Sequence, residues 1–317
     1  MHGRLWMVLL IFMLPLAALS QKIGCTDPEA KNFDHEAIIN DGSCVYAPKS
    51  YRPRVLVQHL PDSVMETSGL ILWRDSFWTH NDSDGGNILY RLDPKSGKII
   101  QKISVGNATN VDWEDIDQDD QFIYIGDFGN NLGSRKDLVI YKIPKNQIAE
   151  YGNTEVAAFM IHFSYGDQTD FSVRNRANDY DCEAMISFGD SLFIFTKDWV
   201  SLSSKMYAVP KIPGNYLIYP LDEFNADGLI TGAAIDQESK QLILSGYKNY
   251  VPFVWLLDDY WRNDFFGGNK RKIDFCKLIG SQTEGITYTG NGVFIISSEK
   301  TPVNDAKLFR FDVKDIK

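Results

Sequence analysis

Glu66-Thr67-Ser68-Gly69-Leu70-Ile71-Leu72, then Ser76-Phe77-Trp78-Thr79-His80-Asn81-Asp82, then Ile88-Leu89-Tyr90-Arg91-Leu92-Asp93 and the run 99–105 decide the fold of this chain. Each piece is a short run rich in apolar and aromatic residues, bounded by turn residues, and reads as a β-strand. The same order returns as Trp113-Glu114-Asp115-Ile116, 122–127, 138–142 and 158–163. A third copy begins at Cys182-Glu183-Ala184-Met185-Ile186 and continues through 192–197, 206–209 and 216–220. A fourth runs through 230–235, 242–247, 253–257 and 272–278. The fifth has three members only: Thr283-Glu284-Gly285-Ile286-Thr287, 293–298 and 308–313.

Four-stranded units recurring at a spacing of about fifty residues are the mark of propeller blades. The strand missing from the last unit has a donor in Arg54-Val55-Leu56-Val57-Gln58-His59-Leu60, which precedes the first copy and would pair the two ends of the chain. The expectation is an all-β, five-bladed β-propeller closed by that N-terminal strand. Six blades are the alternative, with the extra blade in the interval 166–178, but that interval is polar and reads as a loop.

Outside the repeat, Arg4 precedes an apolar run over 5–14, followed by Pro15 and the small-residue stretch Ala18-Leu19-Ser20. That is the pattern of a secretory signal peptide over residues 1–20, too short to span a bilayer, with cleavage before Gln21. Cys25 lies close behind, as in a lipoprotein signal, but Lys22 stands where such a signal carries an aliphatic residue. Residues 21–50 then form a polar, cysteine-bracketed segment and linker, and 51–317 the propeller. In an exported chain Cys25 and Cys44 are expected to be bonded, because the segment between them has too few apolar residues for a core. Asp27, Asn32, Asp34 and Asp41 within it read either as solvated loop residues or as calcium ligands. Cys182 and Cys276 fall on an inner and an outer strand, and are expected to be separate buried thiols. The segment resembles a small module common near one end of exported bacterial proteins.

The 317-residue chain carries a formal net charge of −10 with an isoelectric point near 5.0. Its surface should repel nucleic acid and anionic lipid, leaving cations as the natural partners. No transmembrane segment follows the leader, and the protein is expected to be a monomer, secreted or at the cell surface.

In a propeller the starts of first strands and the ends of second strands meet on one face. The starts bring Ser68, Glu114, Glu183, Thr231 and Glu284 around the channel, where several carboxylates require a countercharge. Calcium is the expected cofactor, since it takes six to eight oxygen ligands and no histidine or cysteine set suggests zinc. Water lining the channel is the plainer reading of the same residues. The second-strand ends place Asp82, Asp84, Asp127, Asn130, Arg135, Lys197, Lys248 and Glu299 in an outer ring suited to a small polar ligand or a surface partner.

The channel order Ser68, Glu114, Glu183, Thr231, Glu284 resembles the apyrase-type calcium-activated nucleotidases, as does Phe77-Trp78-Thr79-His80-Asn81-Asp82-Ser83-Asp84-Gly85-Gly86. That resemblance implies a five-bladed propeller with calcium in its tunnel, held by hydroxyls at Ser68 and Thr231 and by the glutamates, and an acidic first-blade turn at the substrate site. It covers blade order and these short motifs, and the family's basic and aromatic nucleotide contacts find no match beyond the first blade. Thr283-Glu284-Gly285-Ile286 and Asp112-Trp113-Glu114-Asp115-Ile116 are similar instead to strand starts in esterase-like and lactonase-like propellers and in uncharacterised exported bacterial ones. No Gly-x-Ser-x-Gly elbow, Walker loop or metal-spaced histidine pair is present. Two classes stay open: a calcium-binding propeller that binds a ligand or partner on its channel face, or a metal-dependent hydrolase of a phosphoryl or ester substrate. The first takes precedence, because a channel ion can be purely structural and no outer-ring residue has a defined catalytic role. No catalytic residue is assigned.

Overall fold

The structure is a computed structural model that describes residues 21–83 and 85–317, so the expected signal segment and Asp84 lie outside the described residues. Five antiparallel blades form a β-propeller. Their innermost strands are Thr67–Trp73, Trp113–Gln118, Cys182–Phe188, Leu229–Asp236 and Thr283–Tyr288. Each packs against the next and the last against the first, which closes the ring.

Burial explains why the strands are legible. Second strands such as Phe122–Asp127 are covered on both faces and read as continuous apolar runs. Outer strands such as Phe159–Tyr165 and Asn269–Asp274 alternate buried with more exposed residues, the period of a half-covered strand. The core is correspondingly divided into five apolar layers, each filling the gap between adjacent blades. Trp113, wholly buried between blades one and two, anchors one of them and donates its indole N–H to the Thr109 carbonyl at 3.1 Å. Closure is as expected: Arg54–Val57 pairs antiparallel with Lys307–Asp312.

Three details differ from the sequence expectation. The run 216–220, expected as the outer strand of blade three, overlaps a strand Gly214–Ile218 that crosses instead to pair in parallel with Phe159–Tyr165 at the edge of blade two. There it covers an otherwise open edge and buries Ile218 in the layer between blades two and three. The short strand Asp222–Phe224 completes blade three. The outer strand of blade four is Asn269–Asp274, and Cys276 begins the 3-10 turn that follows it, Cys276–Leu278. Cys276 is therefore exposed, while Cys182 is buried, and both are free thiols.

Cys25 and Cys44 are disulfide-bonded and form a very small core with Ala30. The segment docks on blade four through Arg271, which bonds Asp27 and Glu29 and lies 4.0 Å over the Tyr46 ring. No helix among the described residues is long and apolar enough to cross a membrane.

Candidate functional site

In every blade the pairing of first and second strands slips register once, at the channel end of the first strand. The slips pass over Ser68 and Gly69, Glu114, Glu183, Thr231, and Glu284 with Gly285. A bulge releases a residue from the ladder and re-aims its side chain. The five positions expected to face the channel are thus all among those that leave the ladder, and all five are buried. Gly232 and Gly285 let the first strands approach this closely, since a side chain at either would run into the backbone of the neighbouring blade.

The hydroxyls and the carboxylates then part company. Ser68 Oγ donates to the Glu114 carbonyl at 2.5 Å and Thr231 Oγ1 to the Thr283 carbonyl at 2.6 Å, stitching neighbouring blades together. Glu114 and Glu183 converge with Asp181, with one carboxylate oxygen of each within 4.8 Å of the others. Asp181 lies just before the third inner strand and is fully buried, accepting from the Asn130 N–H and, at 2.7 Å, from Trp199 Nε1. It was not among the expected residues. The available signal was an acid two positions before the bulged glutamate, in Asp112-Trp113-Glu114 and again in Asp181-Cys182-Glu183.

Lys197, assigned by sequence to the outer ring, reaches into this cluster. Its Nζ donates to Glu183 Oε1 at 2.6 Å and lies 4.9 Å from the Trp199 ring and 5.5 Å from Tyr247. Burial opposes its charge, but Glu183, Tyr247, Glu284 and Asp181 hold the ammonium well above the usual lysine value. The carboxyls move up as well. Burial, then Glu183, Asp112 and Asp181, raise Glu114. Burial raises Glu183, and although Lys197 opposes it, Asp181 and Glu284 add to the rise. Glu284 is raised by burial, with Glu299 and Asp82 adding to it, and its Oε2 is buried without a hydrogen-bond partner. Burial and Asp82 push Glu299 up to about 8, and burial and Asp181 push Asp112 to about 6. One ammonium thus serves a group of mutually repelling carboxyls.

The rest of the expected ring divides. Asp82 and Glu299 join the electrostatic group. Asp127, Asn130 and Arg135 form a strut: Arg135 pairs with Asp127 at 2.9 Å and with Asp137 at 3.1 Å, and its own N–H donates to Asn130 Oδ1 at 3.0 Å. That strut sets Gly129 against Glu114 and Asp112, where any side chain would strike both carboxylates. Lys248 bonds Asp227 and stays apart from the cluster. In the N-terminal segment, Asp27 is engaged by Arg271 and Tyr46, Asn32 by Ser43 and Val45, Asp34 by Lys22 and the Glu36 N–H, and Asp41 by the Ser43 N–H.

No protein-family model matches the sequence, and no curated protein matches it. Among solved structures the chain is similar to a glucose dehydrogenase, at 8% identity and a TM-score of 0.45 over 83% of this chain and 99% of that one. A second glucose dehydrogenase gives 11% identity and a TM-score of 0.38 over 84% and 87% of the two chains. An exo-beta-1,3-galactanase from Phanerochaete chrysosporium gives 11% and 0.42 over 65% and 49%. Likenesses this remote carry no argument about what the chain binds.

Proposed function

We propose that this is an exported, calcium-dependent binding propeller, in which one ion sits where Glu114, Asp181 and Glu183 converge and a small polar ligand or surface partner docks over it on the carboxylate face. The carrying observation is the convergence of three buried carboxylates from two blades. Two oxygens on opposite sides of a calcium ion, each about 2.4 Å from it, are about 4.8 Å apart, so the observed 4.8 Å limit suits a single ion touching all three. An all-oxygen donor set favours calcium over zinc. The unpartnered Oε2 of Glu284 offers a further acceptor nearby. When bound, the ion would neutralise the carboxyls that Lys197 alone leaves in excess and present a positive centre to ligand oxygens. The protein's own part is to hold the acids together: the Arg135 strut fixes Asp127 and the Gly129 backbone, and the Asn130 and Trp199 donors orient Asp181. Export accords with the Cys25–Cys44 disulfide and the leader pattern.

The test is thermal unfolding of the purified chain with calcium and with chelator. An ion at a hundredfold excess over its dissociation constant stabilises the fold by about 2.7 kcal/mol. Glu183→Gln should abolish the response, and Asp62→Asn, at an exposed site, should keep it. A melting temperature indifferent to both calcium and chelator would refute the proposal. The hydrolase reading implied by the apyrase resemblance is a separate arm: it requires turnover of a nucleoside diphosphate or an aryl ester that is lost on chelation.

A further inference from the structure

A cavity of about 870 Å³ does not open on the carboxylate face. It lies over the turns that follow the inner strands of blades one to four, at the opposite mouth of the channel, and its lining combines four cations with four carboxylates, three of these at the exposed rim. Arg74, Lys142, Lys145 and Lys211 stand half-buried in its wall. In a chain of net charge −10, three of these four cations have no carboxylate in ion-pairing distance among the described residues.

Lys142 donates to the Lys211 carbonyl at 2.7 Å, Lys145 to the Asp119 carbonyl at 2.5 Å, and Arg74 to the Ile148 and Ala149 carbonyls at 3.3 and 3.2 Å. Each therefore keeps further N–H donors for another partner. Aromatic faces hold the cations in place: Arg74 lies 4.1 Å from the Trp73 ring, and Lys142 4.0 Å from Phe122. Asp119 is the half-buried carboxylate of the lining, and Asp117 lies behind the wall within electrostatic reach of Lys145 and Lys211. Asp119 pairs with Lys211 at 3.3 Å and already accepts from the Tyr124 hydroxyl and from the backbone N–H groups of Gln121 and Phe122. Asp75, Asp120 and Asp190 are exposed at the rim.

Two unsatisfied groups complete the lining. Ser187 is 2% exposed, and its Oγ is buried with no hydrogen-bond partner. Gln118 donates its Nε2 to the Leu72 carbonyl at 2.7 Å, but its Oε1 is buried without a donor. Leaving such groups unpaired costs about 1–3 kcal/mol each, which a ligand hydroxyl would recover.

The geometry points to a second binding site here, for a small hydroxylated oxyanion, a sugar acid or sugar phosphate, with its anionic group on Lys142, Lys145 and Arg74 and its hydroxyls on Gln118 and Ser187. The volume falls within the range of about 300–1,000 Å³ usual for small-molecule sites. This inference does not depend on calcium, because the two sites lie at opposite ends of the inner strands.

The test is isothermal titration calorimetry of the full chain with glucuronate, inorganic phosphate and glucose, in low and high salt. Glucuronate is expected to bind, more weakly as salt rises, and glucose not to bind. The double variant Lys142→Met/Lys145→Met should lose about tenfold or more in affinity. Ser187→Ala should weaken glucuronate more than phosphate. Lys98→Gln, at an exposed site, should bind as the parent does, and so should the parent protein in chelator, which separates this site from the calcium site. Unchanged melting profiles would establish that the lysine variants fold. Equal affinity for phosphate and glucuronate would overturn the hydroxyl contacts, and no heat at millimolar glucuronate, or full binding by the double variant, would overturn the site.

Discussion

Asp117 provides a measurable contest between burial and hydrogen bonding. Its side chain bridges two blades: one oxygen accepts from the Gln118 N–H at 2.8 Å and the other from the Ser187 N–H at 2.5 Å. Those bonds favour the carboxylate, as do Lys211 and Lys145, yet burial outweighs them and lifts the group from 3.8 to about 7. A change from 3.8 to about 7, at 1.36 kcal/mol for each tenfold change in proton affinity, is worth about 4 kcal/mol, and the solvent contact that Asp117 retains brings this to about 2–4 kcal/mol. The sign follows from proton linkage. Because the folded value is raised above the unfolded one, the native state binds the extra proton, so the stabilisation is fully present below about pH 4 and lost as pH rises through about 7. Asp117→Asn removes the titration but leaves one backbone N–H facing an amide, at a cost of about 1–3 kcal/mol. The variant should therefore be less stable than the parent near pH 5 and equal or more stable above about pH 8, so that the two curves converge or cross. The assay is urea unfolding of both proteins across that range in chelator, read as their difference, which cancels groups common to both. A difference that stays flat would mean that Asp117 is ionised throughout and that its backbone bonds win over burial.

Other outcomes follow from single contacts. Trp113→Ala should cost about 3–5 kcal/mol in urea unfolding, because it empties a wholly buried site in the layer between blades one and two. Gly129→Ala should weaken the calcium-induced rise in melting temperature with less effect on the chelated protein, since the added methyl displaces Glu114 and Asp112 and leaves the blade cores intact. Cys25→Ser should cost about 3 kcal/mol within the N-terminal segment, seen as proteolysis of residues 21–48 while the propeller's melting temperature holds, because that segment's core is separate from the blade layers.

Local patterning carried the blade order. Continuous apolar runs for second strands and alternating ones for outer strands are properties of neighbours in sequence, as are turn pairs such as Ser96-Gly97. The strand Arg54–Val57 was legible by counting, because a ring leaves the fifth blade one strand short. The same reasoning misplaced Gly214–Ile218. Its composition states that it is a strand, but which edge it joins depends on the exposed flank of Phe159–Tyr165, a strand some fifty residues earlier.

The sequence by itself determined that five repeated units would bring Ser68, Glu114, Glu183, Thr231 and Glu284 to equivalent positions, since equivalence in a repeat needs only register. Tertiary structure alone decided how those positions are used. Ring closure and a bulge in each blade set distances of a few ångströms between residues tens of positions apart. At that scale Asp181 joins Glu114 and Glu183, Lys197 swings in to one of them, and the Ser68 and Thr231 hydroxyls are spent on neighbouring carbonyls. The lysine-bearing cavity at the far mouth arises in the same way. Lys142, Lys145 and Lys211 sit in unremarkable stretches of sequence, and they become one charged wall only because adjacent blades hold them side by side, against burial that disfavours the charge of Lys142 and Lys145.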